Sequence, residues 1–211
     1  MSRARTTVVL ARHGRTEWHH GNRYTGSSDL PIDGVGRRQA EQLKQWAVDF
    51  APDALWASPM LRARQTVAPT AEALGLTPVL DERLREVDFG SAEGRTLQEI
   101  RAESPQIAKA FEIDPVGHHF PGGEDPAAAA ERVHEVFGEV GKQHEGQRVF
   151  VVAHNTLIRL LVCRVLGLPL REYRRVLPAL APAALVRLRW QDGTVGLESY
   201  NTPPVRMETQ A

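Results

Sequence analysis

The chain has 211 residues, with 26 Lys and Arg balancing 26 Asp and Glu, so its formal net charge is zero. That balance offers no overall field for nucleic acid or an anionic membrane surface, and any positive charge that matters must be local. The length suits a single domain, or one domain with an insertion, able to bury a sizeable core. The longest apolar stretch, Leu157 to Leu170, is interrupted by Arg159 and Arg164 and predicts no membrane span. The amino terminus lacks the apolar core of a signal peptide. The single cysteine, Cys163, cannot form an internal disulfide, which fits a reducing, cytoplasmic setting.

In chain order, Thr6 to Leu10 is a β-branched apolar run that predicts a buried strand ending at Arg12-His13-Gly14. A polar loop, 16–33, follows, and Asp33 can cap a helix with core face Gly36, Ala40, Leu43, Ala47 and Phe50. Ala54 to Ala57 predicts a second strand. Ser58-Pro59 predicts an N-cap and first-turn proline for a helix ending at Gly75, interrupted or kinked at Pro69. Val79-Leu80 starts an extended piece leading through Glu86 to a turn at Gly90. Residues 90–124 carry short helices near 96–103 and 106–111 and read as an inserted cover over the site. Asp125-Pro126 opens a helix with core positions Ala130, Val133, Phe137 and Val140. Arg148 to Ala153 has the uninterrupted apolar character of a central parallel strand, and ends at His154-Asn155 before an apolar helix. Asp192-Gly193 marks a terminal hairpin between strands 184–190 and 194–200, and the tail after Pro203 reads as disordered.

Candidate chemistry collects at the strand ends. Arg12 and His13 end the first strand, Arg62 lies one turn into the helix after the second, Glu86 closes an extended stretch, and His154 ends the central strand. Taken singly, each has an ordinary reading: a solvated arginine, a loop glutamate, a hydrogen-bonded histidine. In an open α/β sheet, however, the carboxyl ends of strands are where ligands bind. Together the five supply what phosphoryl transfer needs: an imidazole nucleophile, guanidinium groups for phosphate oxygens, and a proton donor for the leaving group.

The ordered set resembles the histidine phosphatase superfamily, also called the phosphoglycerate mutase-like family, in its phosphatase branch. The resemblance runs through Arg12-His13-Gly14-Arg15-Thr16-Glu17-Trp18, Asn22-Arg23-Tyr24-Thr25-Gly26, Asp29-Leu30-Pro31 and Ser58-Pro59-Met60-Leu61-Arg62-Ala63-Arg64-Gln65-Thr66. It continues through Leu84-Arg85-Glu86-Val87-Asp88-Phe89-Gly90, Glu93-Gly94, Gly122-Gly123-Glu124 and Ala153-His154-Asn155. It implies a three-layer α/β/α sandwich with a mainly parallel sheet, and a two-step reaction with neither metal nor other cofactor. His13 becomes a phosphohistidine; Arg12, Arg62 and His154 hold the phosphoryl oxygens; Glu86 protonates the departing alkoxide and then helps activate water. The backbone N–H groups of Thr25, Gly26 and Asn155 are further candidate donors to substrate.

Three positions depart from the family pattern: Arg15, His19 and Asn155 stand where an acidic residue, asparagine and glycine are common. Arg15 reads as facing solvent. The family counterpart of His19 often reaches the phosphate, which makes His19 a substrate-binding candidate, and Asn155 could also cap the following helix. The pairs His19-His20 and His118-His119 lack metal-ligand spacing. The expected partner is a small phosphomonoester; a homodimer stays open, since the apolar face of the terminal hairpin could be core or interface. The alternatives are a cofactor-dependent phosphoglycerate mutase and, in a different class, a non-catalytic phosphate-binding protein. Against a mutase, Val87 follows Glu86 where mutases carry an arginine, and the span to His154 is short, although Arg95, Arg101 and Lys109 could serve as anchors.

Overall fold

The computed structural model describes residues 5–191 and 194–205. Six strands form one sheet: β1 (Thr6–Arg12), β2 (Ala54–Ala57), β3 (Val79–Leu80), β4 (Arg148–Ala153), β5 (Leu185–Gln191) and β6 (Thr194–Thr202). Their order is β3-β2-β4-β1-β5-β6. The first four are parallel, while β5 runs antiparallel to β1 and β6 antiparallel to β5. Helices cover both faces, giving the expected three-layer, mainly parallel architecture. Among the described residues no helix is long and apolar enough to cross a membrane.

Alternation along the strands divides the core in two. Val9, Ala11, Leu55, Ala57, Phe150 and Val152 face α1 (Gly34–Phe50) and α2 (Leu61–Leu74), meeting Leu43, Trp46, Ala47, Phe50, Ala63 and Val67. Val8, Leu10, Trp56, Val149, Val151 and Ala153 face α5 (Pro126–Gln143) and α6 (Asn155–Val165). Successive side chains point to opposite faces, so each apolar run serves both layers at once. Cys163 lies fully buried in α6 as a small core residue.

Most predicted caps hold. Asp33 accepts the Val35 and Gly36 N–H groups, Asp125 accepts that of Ala127, and Gly75 closes α2 in the left-handed conformation. One expectation fails at α2, and of the two effects expected at Pro69 the interruption is absent. The helix starts at Leu61 instead of after Ser58, and Asp29 from the polar loop accepts the Leu61 N–H at 2.7 Å. Pro69 does not interrupt it: the residue is half-buried on the helix rim, where the carbonyl left without its N–H partner can meet solvent. The piece after β3 is also less extended than expected, because Glu82–Leu84 forms a 3-10 turn capped by Asp81.

Residues 90–124 contain α3 (Leu97–Glu103) and α4 (Pro105–Ile113). Phe111 stacks on Phe120 at 4.1 Å between ring centroids, and Tyr24 packs against Phe89, Phe111 and Phe120, tying this segment to the loop after β1. A short helix α7 (Tyr173–Val176) follows α6. The hairpin strands pair as expected, although Asp192-Gly193 lie outside the described residues, as does the tail from residue 206. Its apolar face is core: Val186 and Leu188 are buried, with Trp190, Val195, Leu197 and Tyr200 packed around them. A homodimer would therefore need another surface.

Candidate active site

Arg12 and Ala153 are register partners, so the carboxyl ends of β1 and β4 open side by side. The His13 N–H extends this pairing to the Ala153 carbonyl at 3.0 Å. The chain then turns at Gly14, where a Cβ would lie 2.8 Å from the Gly36 carbonyl oxygen; only glycine lets the first turn of α1 approach so closely. The His13 side chain is 4% exposed, and its Nδ1–H donates to the Gly14 carbonyl at 2.8 Å. That bond fixes the tautomer and leaves the Nε2 lone pair for attack. Burial, followed by the charge of Arg62 and the neighbouring His154, holds the imidazole well below its usual range, so His13 is neutral at physiological pH.

Behind it, at 5.2 Å between ring centroids, sits His154, itself fully buried. Arg62 Nε–H donates to His154 Nδ1 at 3.3 Å, and His154 Nε2–H donates to Ser58 Oγ at 2.7 Å. Burial and then Arg62 keep this ring neutral as well. Arg62 is fully buried, and its remaining donors hold the carbonyls of Ser28, Gly26 and Thr25 at 2.8, 2.9 and 3.3 Å. Arg62 thus braces the loop after β1 and the second histidine while adding charge behind His13.

Glu86 is 7% exposed and lies at the start of α6. Its Oε2 accepts the Thr156 N–H and its Oε1 the Leu157 and Val87 N–H groups, all at 3.0 Å. A carboxylate there satisfies orphan donors of the helix and meets the positive end of its dipole. Glu86, and not Asn155, is the side chain that caps α6. Its backbone is held in turn by Arg132 of α5, which donates to the carbonyls of Arg83, Arg85 and Glu86 and pairs through two nitrogens with Glu124.

Arg12 and His19 meet at 2.6 Å between Nη2 and Nε2. The Thr16 N–H donates to His19 Nδ1 at 3.0 Å, and burial first, then Arg12, lowers the ring to about 4. A neutral ring accepting at Nδ1 carries its proton on Nε2, so two N–H donors converge with no acceptor between them. Arg12 also gives Nη1 to the Leu180 carbonyl at 2.6 Å and leaves its buried Nε without a partner; burial pulls its own ionisation down to about 10. The arrangement suits an incoming oxyanion.

These groups surround a cavity of about 260 Å³. Of the predicted residues, Arg12, His13, His19, Thr25, Glu86 and Asn155 line it, whereas Arg62, His154 and Gly26 stand behind the wall. The Gly26 N–H is committed to Glu93 Oε1 at 2.7 Å and is not a free donor. A Cβ at Gly26 would lie 2.2 Å from the Val87 carbonyl oxygen, which explains the glycine by packing. Arg15 is not simply solvated: it is half-buried and pairs with Asp33 at 2.7 Å. The sequence reading gave no site role to several wall residues, among them the cations Arg23, Arg159 and Arg174. Arg159 follows Asn155 by four positions, the helical spacing that shares one face, and was legible on that ground. The described residues contain no cluster of three or more His, Cys, Asp or Glu side chains placed to hold a metal ion.

The model of the histidine phosphatase superfamily, branch 1, matches residues 8–203. Phosphoserine phosphatase 1 of Hydrogenobacter thermophilus is 31% identical over 79% of this chain and 79% of its own. A probable phosphoglycerate mutase of Erwinia tasmaniensis is 34% identical over 80% of this chain and 79% of its own. Among solved structures, Bacillus stearothermophilus YhfR superposes with a TM-score of 0.86 at 27% identity, over 93% of this chain and 97% of that one. A mycobacterial glucosyl-3-phosphoglycerate phosphatase superposes at 0.81 with 28% identity, over 94% and 99%. The chain belongs to the histidine phosphatase superfamily, branch 1.

Proposed function

We propose that this protein is a phosphomonoester hydrolase acting on a small phosphorylated metabolite through a phosphohistidine at His13. The observation that carries the reading is the state of His13: neutral, with Nδ1–H bonded to the Gly14 carbonyl and Nε2 left for the cavity it lines. In the first step Nε2 attacks phosphorus, the bond to the ester oxygen breaks, and that oxygen leaves with a proton from Glu86. In the second, water attacks the phosphohistidine, its proton passes to the Glu86 carboxylate, and the P–N bond breaks to release orthophosphate. Arg12 and His19 donate to the phosphoryl oxygens, with the Thr25 and Asn155 N–H groups as further donors. Arg62 and His154 stabilise the same charge from behind the wall. Pre-positioned donors of this kind need no reorganisation as charge shifts in the transition state.

The chemistry requires no metal, since nucleophile, acid and cations are all side chains. Similarity to a phosphoserine phosphatase and to a glucosyl-3-phosphoglycerate phosphatase supports a small phosphorylated metabolite as substrate. A cavity of about 260 Å³, at the small end for ligand sites, agrees with this. Segment 90–124 serves as the cover, and a free, buried Cys163 fits a cytoplasmic setting. Hydrolysis is favoured over mutase action by the cover's own cations. Arg95 pairs with Glu103, Arg101 with Glu112, Lys109 is exposed on α4, and none of them lines the cavity. The test is the product: inorganic phosphate released from phosphomonoesters, with little interconversion of 3- and 2-phosphoglycerate after priming with 2,3-bisphosphoglycerate. Mutase turnover far above hydrolysis would replace this reading with the alternative.

A further inference from the structure

The cavity holds more positive charge than the phosphoryl group uses. Arg12 faces His19 at the phosphoryl end, and Arg23 is taken by Glu99 through two bonds of 2.8 and 3.0 Å. Arg159 and Arg174 remain. Arg159 is only 6% exposed; it donates one hydrogen bond, to the Tyr173 carbonyl at 3.2 Å, and its buried Nε has no partner. Its guanidinium lies 4.8 Å over the Tyr173 ring. Arg174 is half-buried, 5.1 Å over the Phe111 ring, with a long 3.5 Å contact to the Tyr24 hydroxyl. Among the described residues neither forms an ion pair. The two sense each other's charge, and Arg159 also senses Glu86.

A buried guanidinium without a counter-ion is costly, and aromatic faces offset only part of that cost. Stacking positions the two planar groups while leaving N–H edges available, the geometry that grips a carboxylate in two places. We infer that Arg159 and Arg174 bind a carboxylate of the substrate, so that the preferred substrates are phosphate esters of small hydroxy acids. The inference rests on the hydrolase reading and narrows its substrate class. A planar carboxylate fits the limited volume better than a second phosphate. Carboxylate recognition does not by itself make a mutase, which must also shield its phosphoenzyme from water.

The test compares matched pairs that differ in the carboxylate: phosphoglycolate against ethyl phosphate, and 3-phosphoglycerate against glycerol 3-phosphate. Wild type should favour the acid of each pair by about tenfold or more in kcat/KM, mainly through KM, as expected for charge-assisted hydrogen bonds. Arg159→Gln and Arg174→Gln should each collapse that ratio by about tenfold, and Arg159→Lys, which keeps the charge if the glutamine variant folds poorly, should retain part of it. Binding of the same compounds to His13→Ala, measured by calorimetry, separates the two claims. If no ester is hydrolysed but the acids still bind more tightly in an Arg174-dependent way, the hydrolase reading fails and the carboxylate site stands. Equal affinity for acid and neutral partner, or variants that weaken both members of a pair alike, would overturn the site.

Discussion

The Glu86 carboxylate accepts the Thr156 backbone N–H at 3.0 Å, tying the proposed acid to the first turn of the helix that begins just after His154. One side chain thus closes a helix end and lines the cavity. Glu86→Gln keeps an acceptor but loses charge beside the helix dipole and turns an amide N–H₂ toward backbone donors. It should cost about 1 kcal/mol in stability. It should also slow alkyl phosphates more than p-nitrophenyl phosphate, whose phenolate leaves without a proton. Denaturant melts and paired kinetics check both effects; equal losses on the two substrates would confine Glu86 to the cap.

The neutral buried histidines predict a pH dependence of stability. His13 and His154 are held well below 6.5 in the folded chain and regain ordinary values on unfolding. As pH falls below 6.5 the unfolded chain takes up protons that the folded chain refuses, so stability is lost on acidification. Each contributes up to roughly 1.4 kcal/mol per pH unit. His19, lowered to about 4, adds a smaller, solvent-screened share between about 6.5 and 4. Urea titrations from pH 7 to 5 should show this slope, and His13→Asn should make it shallower. An unchanged slope in that variant would show that His13 is protonated in the folded chain.

At the Arg12–His19 end of the cavity, two N–H donors 2.6 Å apart predict an oxyanion that accepts from both. Nitrogen-15 spectra should find the proton of His19 on Nε2 at pH 6. His19→Ala should lower kcat/KM by roughly a hundredfold, the usual loss for one oxyanion donor, with His19→Asn recovering much of it. A proton on Nδ1 would mean that Nε2 accepts from Arg12 and is no ligand.

Arg132 does not itself line the cavity, yet it holds the backbone that presents Glu86. Arg132→Met removes three carbonyl contacts and leaves Glu124 without its partner, and should cost about 2–3 kcal/mol. Its kinetic signature should follow Glu86→Gln, with a larger loss on alkyl phosphates. A uniform loss on both substrates would assign Arg132 to stability alone.

What was legible in the chain was whatever local chemistry decides. Val8 to Ala11 and Val149 to Ala153 are apolar on both faces because helices cover both sides of the sheet, and their ends carry Arg12, His13 and His154. What was not legible depended on the third dimension. Ser58-Pro59 has the local signature of a helix start, but Ser58 is bonded to His154 and Asp29 supplies the cap from a distant loop. Arg62 reads as a phosphate clamp, but the sequence does not show that it also holds the carbonyls of Thr25, Gly26 and Ser28. Arg159 reads as an interruption of an apolar run unless its four-residue spacing from Asn155 is used, and the sequence reading assigns Arg174 nothing. Only packing against Tyr173 and Phe111 turns both toward the cavity.

The most direct measurement is rapid acid-free quench of wild type with a ³²P-labelled phosphomonoester, followed by mapping of the labelled peptide. A phosphohistidine should form within the first turnover, stable to base and lost in acid, on the peptide containing His13 and absent from His13→Ala. Full turnover by His13→Ala, or label on any other residue, would contradict the account.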